Sequence, residues 1–314
     1  MLHLFPSPSA ARGHMTRRQW LRMASLASGA LGARLEGASQ AAASRPRAQG
    51  CIAIFLCGGP SQPDLWDLKP HAPVGVRSEV APIATSVPGI HFSELIPRVA
   101  RHADKLALIR SMTHSNNDHN GAIAHSVLGQ KPALPGQHYV TRHDPPGLGA
   151  IVQKCSGSRG ALPPWIILPR YFGTNSPPYK GQSAGFLGSQ YDPLIFDKER
   201  KGSLTDAKLT IGDLELADDV DDRLSARQQL LGELGKPIDA PPARRSAELF
   251  EAAHGMLTSS QVRSAFQLER ESERLRDRYG RNEYGQSLLM ARRLIEAGVR
   301  YVNVFWTFFD QKGC

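Results

Sequence analysis

Two short stretches hold side chains suited to chemistry. The first follows the apolar run Cys51-Ile52-Ala53-Ile54-Phe55-Leu56-Cys57 and reads Gly58-Gly59-Pro60-Ser61-Gln62-Pro63-Asp64-Leu65-Trp66-Asp67. The paired glycines let the backbone turn sharply and approach a ligand closely. Ser61, Asp64 and Asp67 then offer one hydroxyl and two carboxylates. The second stretch is Ser111-Met112-Thr113-His114-Ser115-Asn116-Asn117-Asp118-His119-Asn120-Gly121. With His125 it gathers three imidazoles and a carboxylate within twelve positions. Imidazole nitrogen and carboxylate oxygen suit borderline and hard divalent ions. The same residues also suit quieter roles. Ser and Asp satisfy backbone donors in turns, and Asp118 or Asn120 can cap the helix that follows. Spacing alone leaves both readings open.

The elements that must position these groups come from the hydrophobic pattern. Cys51–Cys57 is a short, continuous apolar run ending in a turn, which reads as a strand buried on both faces. Lys105–Arg110 (KLALIR), Trp165–Leu168 behind Pro163-Pro164, and Val299–Trp306 read as further strands. A helix is expected from His91–Glu94 onward, capped by Ser93, with Leu95, Ile96, Val99 and Ala100 on its apolar face. Others are expected from about Ala122 to Leu128, closed by Gly129, over Leu148–Lys154, and over Tyr284–Ala297, ended by Gly298.

Residues 71–91 and 130–146 read as loops, and residues 170–193 as a long Gly-, Tyr- and Pro-rich loop with lid character. Lys208–Leu216 supplies at most one edge strand. Asp218, Asp219, Asp221 and Asp222 precede a helix over Arg223–Leu234, where acidic residues favour the helix N-terminus more than a calcium loop. Arg244–Tyr279 reads as an exposed helical cover, with Glu269 and Glu273 set against Arg270, Arg274 and Arg276.

This alternation predicts an α/β domain with a mainly parallel sheet. Ligands in open α/β sheets bind beyond the carboxyl ends of the strands, and both polar stretches fall there. If strands 51–57 and 106–110 are neighbours, Asp64, His114 and His119 converge, with Ser61 at the rim.

The chain has 314 residues, 41% of them hydrophobic, enough for one large domain or two small ones. Its formal net charge is +9. Much of this comes from arginines in the first fifty residues and in helices near the end. No basic stripe is interleaved with aromatics, which argues against nucleic acid as a partner. Thr16-Arg17-Arg18-Gln19-Trp20-Leu21-Arg22 is a twin-arginine signature. A weakly apolar stretch, Met23–Ala33, and an A-x-A site at Ala41-Ala42-Ala43 follow it. That order reads as an export signal over residues 1–43 and predicts the periplasm or cell surface.

The apolar stretch is too short to span a bilayer, and no other segment could, so no integral membrane segment is expected after the signal is removed. Cys51 and Cys57 lie about 20 Å apart on one extended strand and cannot pair. No C-x-x-C occurs, so a cysteine-ligated zinc is not expected.

Several motifs occur together in order. They are Gly58-Gly59-Pro60-Ser61…Asp64…Asp67-Leu68-Lys69-Pro70, Pro88-Gly89-Ile90, Ser93-Glu94, and Arg110-Ser111-Met112-Thr113-His114 through His119. Gly185-Phe186-Leu187-Gly188, Tyr279-Gly280 and Ala291-Arg292-Arg293-Leu294-Ile295-Glu296-Ala297-Gly298-Val299 continue them. In these the chain resembles an exported bacterial family of unknown function grouped with the alkaline-phosphatase/sulfatase superfamily.

The resemblance implies an alkaline-phosphatase-like α/β fold over residues 44–314, with helices on both sheet faces and a helical cover at 223–280. It implies a metal-dependent hydrolase acting on phosphate or sulfate esters. The divalent ion would be zinc, calcium or magnesium. Asp64, His114 and His119 would stand on the metal side, with Ser61 as the catalytic candidate. The sulfatase Cys-x-Pro-Ser-Arg signature is absent. So are the relatives' later Trp-Asp-Thr-His and Gly-Arg-Asp-His-type motifs, which makes a domain incomplete at its C-terminus, a fragment, the expectation. The alternative is a non-catalytic exported binding or surface protein that reuses the fold, since fold alone does not decide function.

Overall fold

A computed structural model describes residues 48–131, 138–173, 178–195, 200–201, 210–211, 226, 229–230, 253–256 and 258–306. The chain divides into a unit Met1–Gln49 and a unit Gly50–Cys314. All labelled elements lie in the second. The expected signal at 1–43, the acidic run at 218–222 and most of the helix expected at 223–234 lie outside the described residues.

In chain order the elements begin with β1 (Cys51–Leu56), α1 (Gln62–Leu65), β2 (Pro82–Ala84), β3 (His91–Ser93) and α2 (Pro97–Ala100). Next come α3 (His119–Leu128), α4 (Leu148–Ser156), β4 (Trp165–Leu168), β5 (Leu194–Ile195), β6 (Arg200–Lys201) and β7 (Thr210–Ile211). The last are α5 (Ser260–Phe266), α6 (Glu273–Tyr279), α7 (Glu283–Glu296) and β8 (Tyr301–Trp306). The main sheet has the order β1-β8-β4-β5 and is parallel throughout. Cys51 lies opposite Tyr301, and Trp165 lies opposite Tyr301 on its other side. The α/β architecture with a parallel sheet thus holds.

Alternation along β4 and β8 separates two cores. Ile166, Leu168, Val302 and Val304 face one way, onto Leu289, Met290 and Leu294 of α7 and Val262 and Phe266 of α5. Trp165, Ile167, Tyr301 and Phe305 face the other way, onto Ala150 of α4, Phe172 and Tyr179. Each strand thus presents apolar side chains to helices above and below, the condition that makes a parallel strand apolar throughout. Gly149 is required at the second interface. A Cβ there would meet the Trp165 ring at 2.3 Å.

Five expectations are corrected. The run at 51–57 is not buried on both faces: among the described residues β1 is the sheet edge and pairs only with β8. Ile54 and Leu56 accordingly remain 51% and 41% exposed. Residues 106–110 form no strand. Their apolar run has strand character, but a strand also needs a partner edge, and this segment's ends are held elsewhere. The Leu106 amide bonds to Ala103, and Arg110 pairs with Asp67. The helix expected from His91–Glu94 begins only at Pro97, because the residue before a proline avoids the helical region. Ile96 has φ −123° and ψ 50°, and His91–Ser93 instead pairs with β2.

Finally, the described part of the loop at 170–193 packs into the molecule instead of standing over it as a lid would. Tyr179, Lys180, Gln182 and Ser183 are buried, and the Gln182 side chain bonds to the backbone of Phe172 and Tyr179. The late helices are likewise more than an exposed cover. Phe266 and Leu268 enter the core, and Arg276 is buried against Gln286.

Candidate functional site

β1 ends in a turn whose Gly58 and Gly59 both take positive φ, 80° and 60°. That conformation is strained for any residue with a side chain. The turn delivers Ser61 to the N-cap of α1, yet its hydroxyl makes no cap bond. It stands beside the carboxylate of Asp64, three residues on. Ser78 donates a hydrogen bond to Asp64 Oδ1 at 2.6 Å and itself accepts one from the Val80 amide. The Ser61 hydroxyl, and after it that of Ser78, hold the Asp64 carboxyl below its usual range. The group opens on a cleft of about 880 Å³ lined by Ser61, Asp64, Leu68, Val76, Ser78 and Glu79. A carboxylate so stabilised is a poor proton acceptor at neutral pH, because a useful base has its pKa near the working pH. It remains a good hard-oxygen ligand or hydrogen-bond acceptor.

The second stretch satisfies many of its own polar groups. Asp118 caps α3 by accepting from the Gly121 amide at 2.6 Å, and Gly129 closes the helix in the left-handed region at φ 78°. Asn116 Oδ1 accepts from the Asp118 amide, and His114 Nδ1 accepts from the Asn116 amide. A neutral imidazole that accepts at Nδ1 carries its proton on Nε2. The His114 and His125 rings lie 5.7 Å apart between centroids. His125 Nδ1 is buried without a hydrogen-bond partner. His119 is exposed at the first position of α3. Asn120 is tied to the core, accepting from the buried Tyr179 hydroxyl at 2.7 Å.

A family model described as a protein of unknown function, DUF1501, matches residues 48–313. The chain belongs to the DUF1501 family. No curated protein and no solved structure matches it.

In this DUF1501 chain the structure brings Ser61 and Asp64 together, and separately His114 and His125. Among the described residues no three of His, Cys, Asp and Glu gather as a metal-binding group. Sequence reasoning missed Ser78, which sits in a loop fourteen residues beyond Asp64, because no local pattern marks a hydroxyl that returns by tertiary folding. It also missed the Lys180–Asp144 ion pair, 2.5 Å long and buried at both ends. The one available signal was a lone lysine inside the apolar, Tyr- and Gly-rich stretch Tyr179–Gly185. Cys51 and Cys155 are free thiols. No helix among the described residues is long and apolar enough to cross a membrane.

Proposed function

We propose that this DUF1501 protein is an exported, metal-dependent hydrolase of phosphate or sulfate esters, with the crevice past β1 as its substrate side. One observation carries the reading. The Ser61–Asp64 pair stands just beyond the carboxyl end of a parallel strand and lines one cleft with Ser78, which donates to Asp64. Ligands of open α/β sheets bind in that place. The ester chemistry is what the motifs' resemblance to an exported family grouped with the alkaline-phosphatase/sulfatase superfamily implies. Asp64 offers one hard ligand, and His114 and His119 are the imidazoles nominated to join it. As placed, the described residues do not close a ligand set around one ion.

A second reading has its own observation. In the loop from His114 to Gly121 the polar groups satisfy one another, and Asp118 is occupied as a helix cap. Such a loop holds its shape without an ion, as a non-catalytic exported binding protein would need.

The two readings separate on the full chain. Bound zinc, calcium and magnesium are measured by elemental analysis, and hydrolysis is followed with aryl phosphate and aryl sulfate esters. The hydrolase reading expects stoichiometric metal and turnover, both lost in Asp64→Asn. A well-folded chain without metal or turnover leaves only the binding reading. Export has a separate test. Replacing Arg17 and Arg18 by lysine should retain the precursor inside the cell, and normal export of that variant would remove the twin-arginine assignment.

A further inference from the structure

We propose that residues 60–110 form a hinged lobe that swings as one body about Gly58-Gly59 and Ser111–Thr113, so that its swing sets the distance between Asp64 and the His114–His119 loop. The lobe has a core of its own. Phe92, Ala100 and Ala103 are buried in it, with Trp66, Ile83 and Val99 packed around them. Trp66 meets Phe92 edge-on, 5.3 Å between ring centroids. β2 and β3 pair as a separate two-stranded sheet. The Glu94 amide donates to the Ala81 carbonyl, and the Ala81 amide donates to Glu94 Oε1. Ser86 donates to Asp104 at 3.0 Å. Arg110 Nη1 reaches Asp67 Oδ1 at 2.9 Å, and the Asp67 amide donates to Gln62, so the chain leaves the lobe close to where it enters.

Among the described residues, no hydrogen bond, ion pair or ring contact joins residues 60–110 to another segment. Neither core of the main sheet takes a described side chain from them. A unit with its own core moves relative to its neighbour unless a large apolar interface fixes it.

The two connections have the character of joints. Gly58 and Gly59 hold positive φ, and a Cβ on either would meet nothing within 4 Å, so no packing walls the turn. On the way out, Ser111, Met112 and Thr113 are exposed and make no hydrogen bond among the described residues. A few loop residues of this kind absorb the backbone rotation of a hinge. Beyond them the chain is fixed again. Ile123 and Val127 of α3 pack into the second core of the sheet, and Asn120 accepts from the Tyr179 hydroxyl.

This division separates the two polar stretches. Every residue lining the cleft at Asp64 lies between Ser61 and Pro82, within the lobe. His114 and His119 lie past the second joint, on the side of the sheet. A ligand set joining Asp64 to these imidazoles therefore closes only when the lobe does. That consequence rests on the proposed function. The hinge itself does not, and it is tested without metal.

The unmodified full chain, isotope-labelled and weakly aligned, gives residual dipolar couplings for its backbone amides. Those of residues 61–105 should fit an alignment about half as strong as that of α7 and β8, because a hinge moving in microseconds to milliseconds averages them. Phe92→Ala supplies the second measurement. It empties the core of the lobe, and the amides of β2, β3 and α2 should then exchange about a hundredfold faster while those of α7 and β8 keep their rates.

One alignment shared by lobe and sheet overturns the proposal. So does a Phe92→Ala variant in which α7 and β8 lose protection together with the lobe. Zn2+ added to the unmodified chain tells the hinge from the hydrolase reading. Two alignments that Zn2+ merges into one support both. Two that Zn2+ leaves apart keep the hinge and remove the metal closure, whereas one alignment throughout, with Zn2+ bound, keeps the metal site and removes the hinge.

Discussion

Asp64 and Asp118 show how one residue type serves two ends. Both carboxylates sit near the start of a helix, and both accept short hydrogen bonds. Asp118 spends its bond on the backbone of its own helix, whereas Asp64 takes its bonds from hydroxyls and faces a cleft. Replacing Asp118 by Ala removes the cap and should cost about 1 kcal/mol, read as a lower denaturation midpoint, while Asp118→Ser should keep most of it. For Asp64, Ser78→Ala removes one of the two hydroxyls that hold the carboxyl down. Its pKa should rise toward the ordinary value in a carbon-detected NMR titration. The sign follows from linkage. A carboxyl depressed in the folded state adds stability that is present above its unfolded pKa and lost as pH falls through its folded one. Ser78→Ala should therefore flatten the acid limb of the stability profile. An unchanged Asp64 titration would show that Ser61 alone sets its charge.

The strands are held as layers, and the tightest fit is between α4 and β4. The Trp165 ring lies against Gly149, and its Nε1 donates to Asn303 Oδ1 of β8 at 2.8 Å. Gly149→Ala drives a methyl group into that ring and should destabilise by about 1–3 kcal/mol, the usual cost of overpacking. Trp fluorescence during urea unfolding would report it. On the opposite face, Leu289 of α7 is fully buried in the first core. Leu289→Ala should cost about 2–5 kcal/mol. A cost well below that range would mean that α7 collapses into the space, so that the sheet depends less on this helix than the packing implies.

At the scale of the whole chain, the segments between α3 and β5 are pulled inward by polar bonds. Lys180 reaches Asp144, Thr141 donates its amide to the other Asp144 oxygen, and Asp192 binds both Arg142 and the Ala184 amide. Tyr171 lies nearby, and burial, then the charge of Asp192, pushes its hydroxyl up to about 12. Lys180→Met would leave the Asp144 carboxylate buried and unpaired, at a cost of about 3–5 kcal/mol. The pair Lys180→Met with Asp144→Asn should recover part of that loss. Denaturation of the single and double variants decides the point, and a double variant no better than the single would show that Asp144 matters chiefly for its bond to Thr141.

What was legible in the sequence was local. The apolar runs at 51–56, 165–168 and 301–306, the helix at 283–296, the Asp118 cap and the Gly129 stop depend on residues a few positions apart. Chain stiffness, turn chemistry and capping act over that range, so the α/β class and the turn after β1 could be read directly. The tertiary structure alone decided which strand is central and which is the edge, because strand pairing joins Cys51 to Tyr301 across nearly the whole described chain. It left residues 106–110 outside the sheet although their composition is that of a strand, since a strand is completed by a partner's hydrogen bonds. It also brought Ser78 to Asp64 and Lys180 to Asp144. Those contacts have no periodicity to betray them, because each forms only after distant segments have packed.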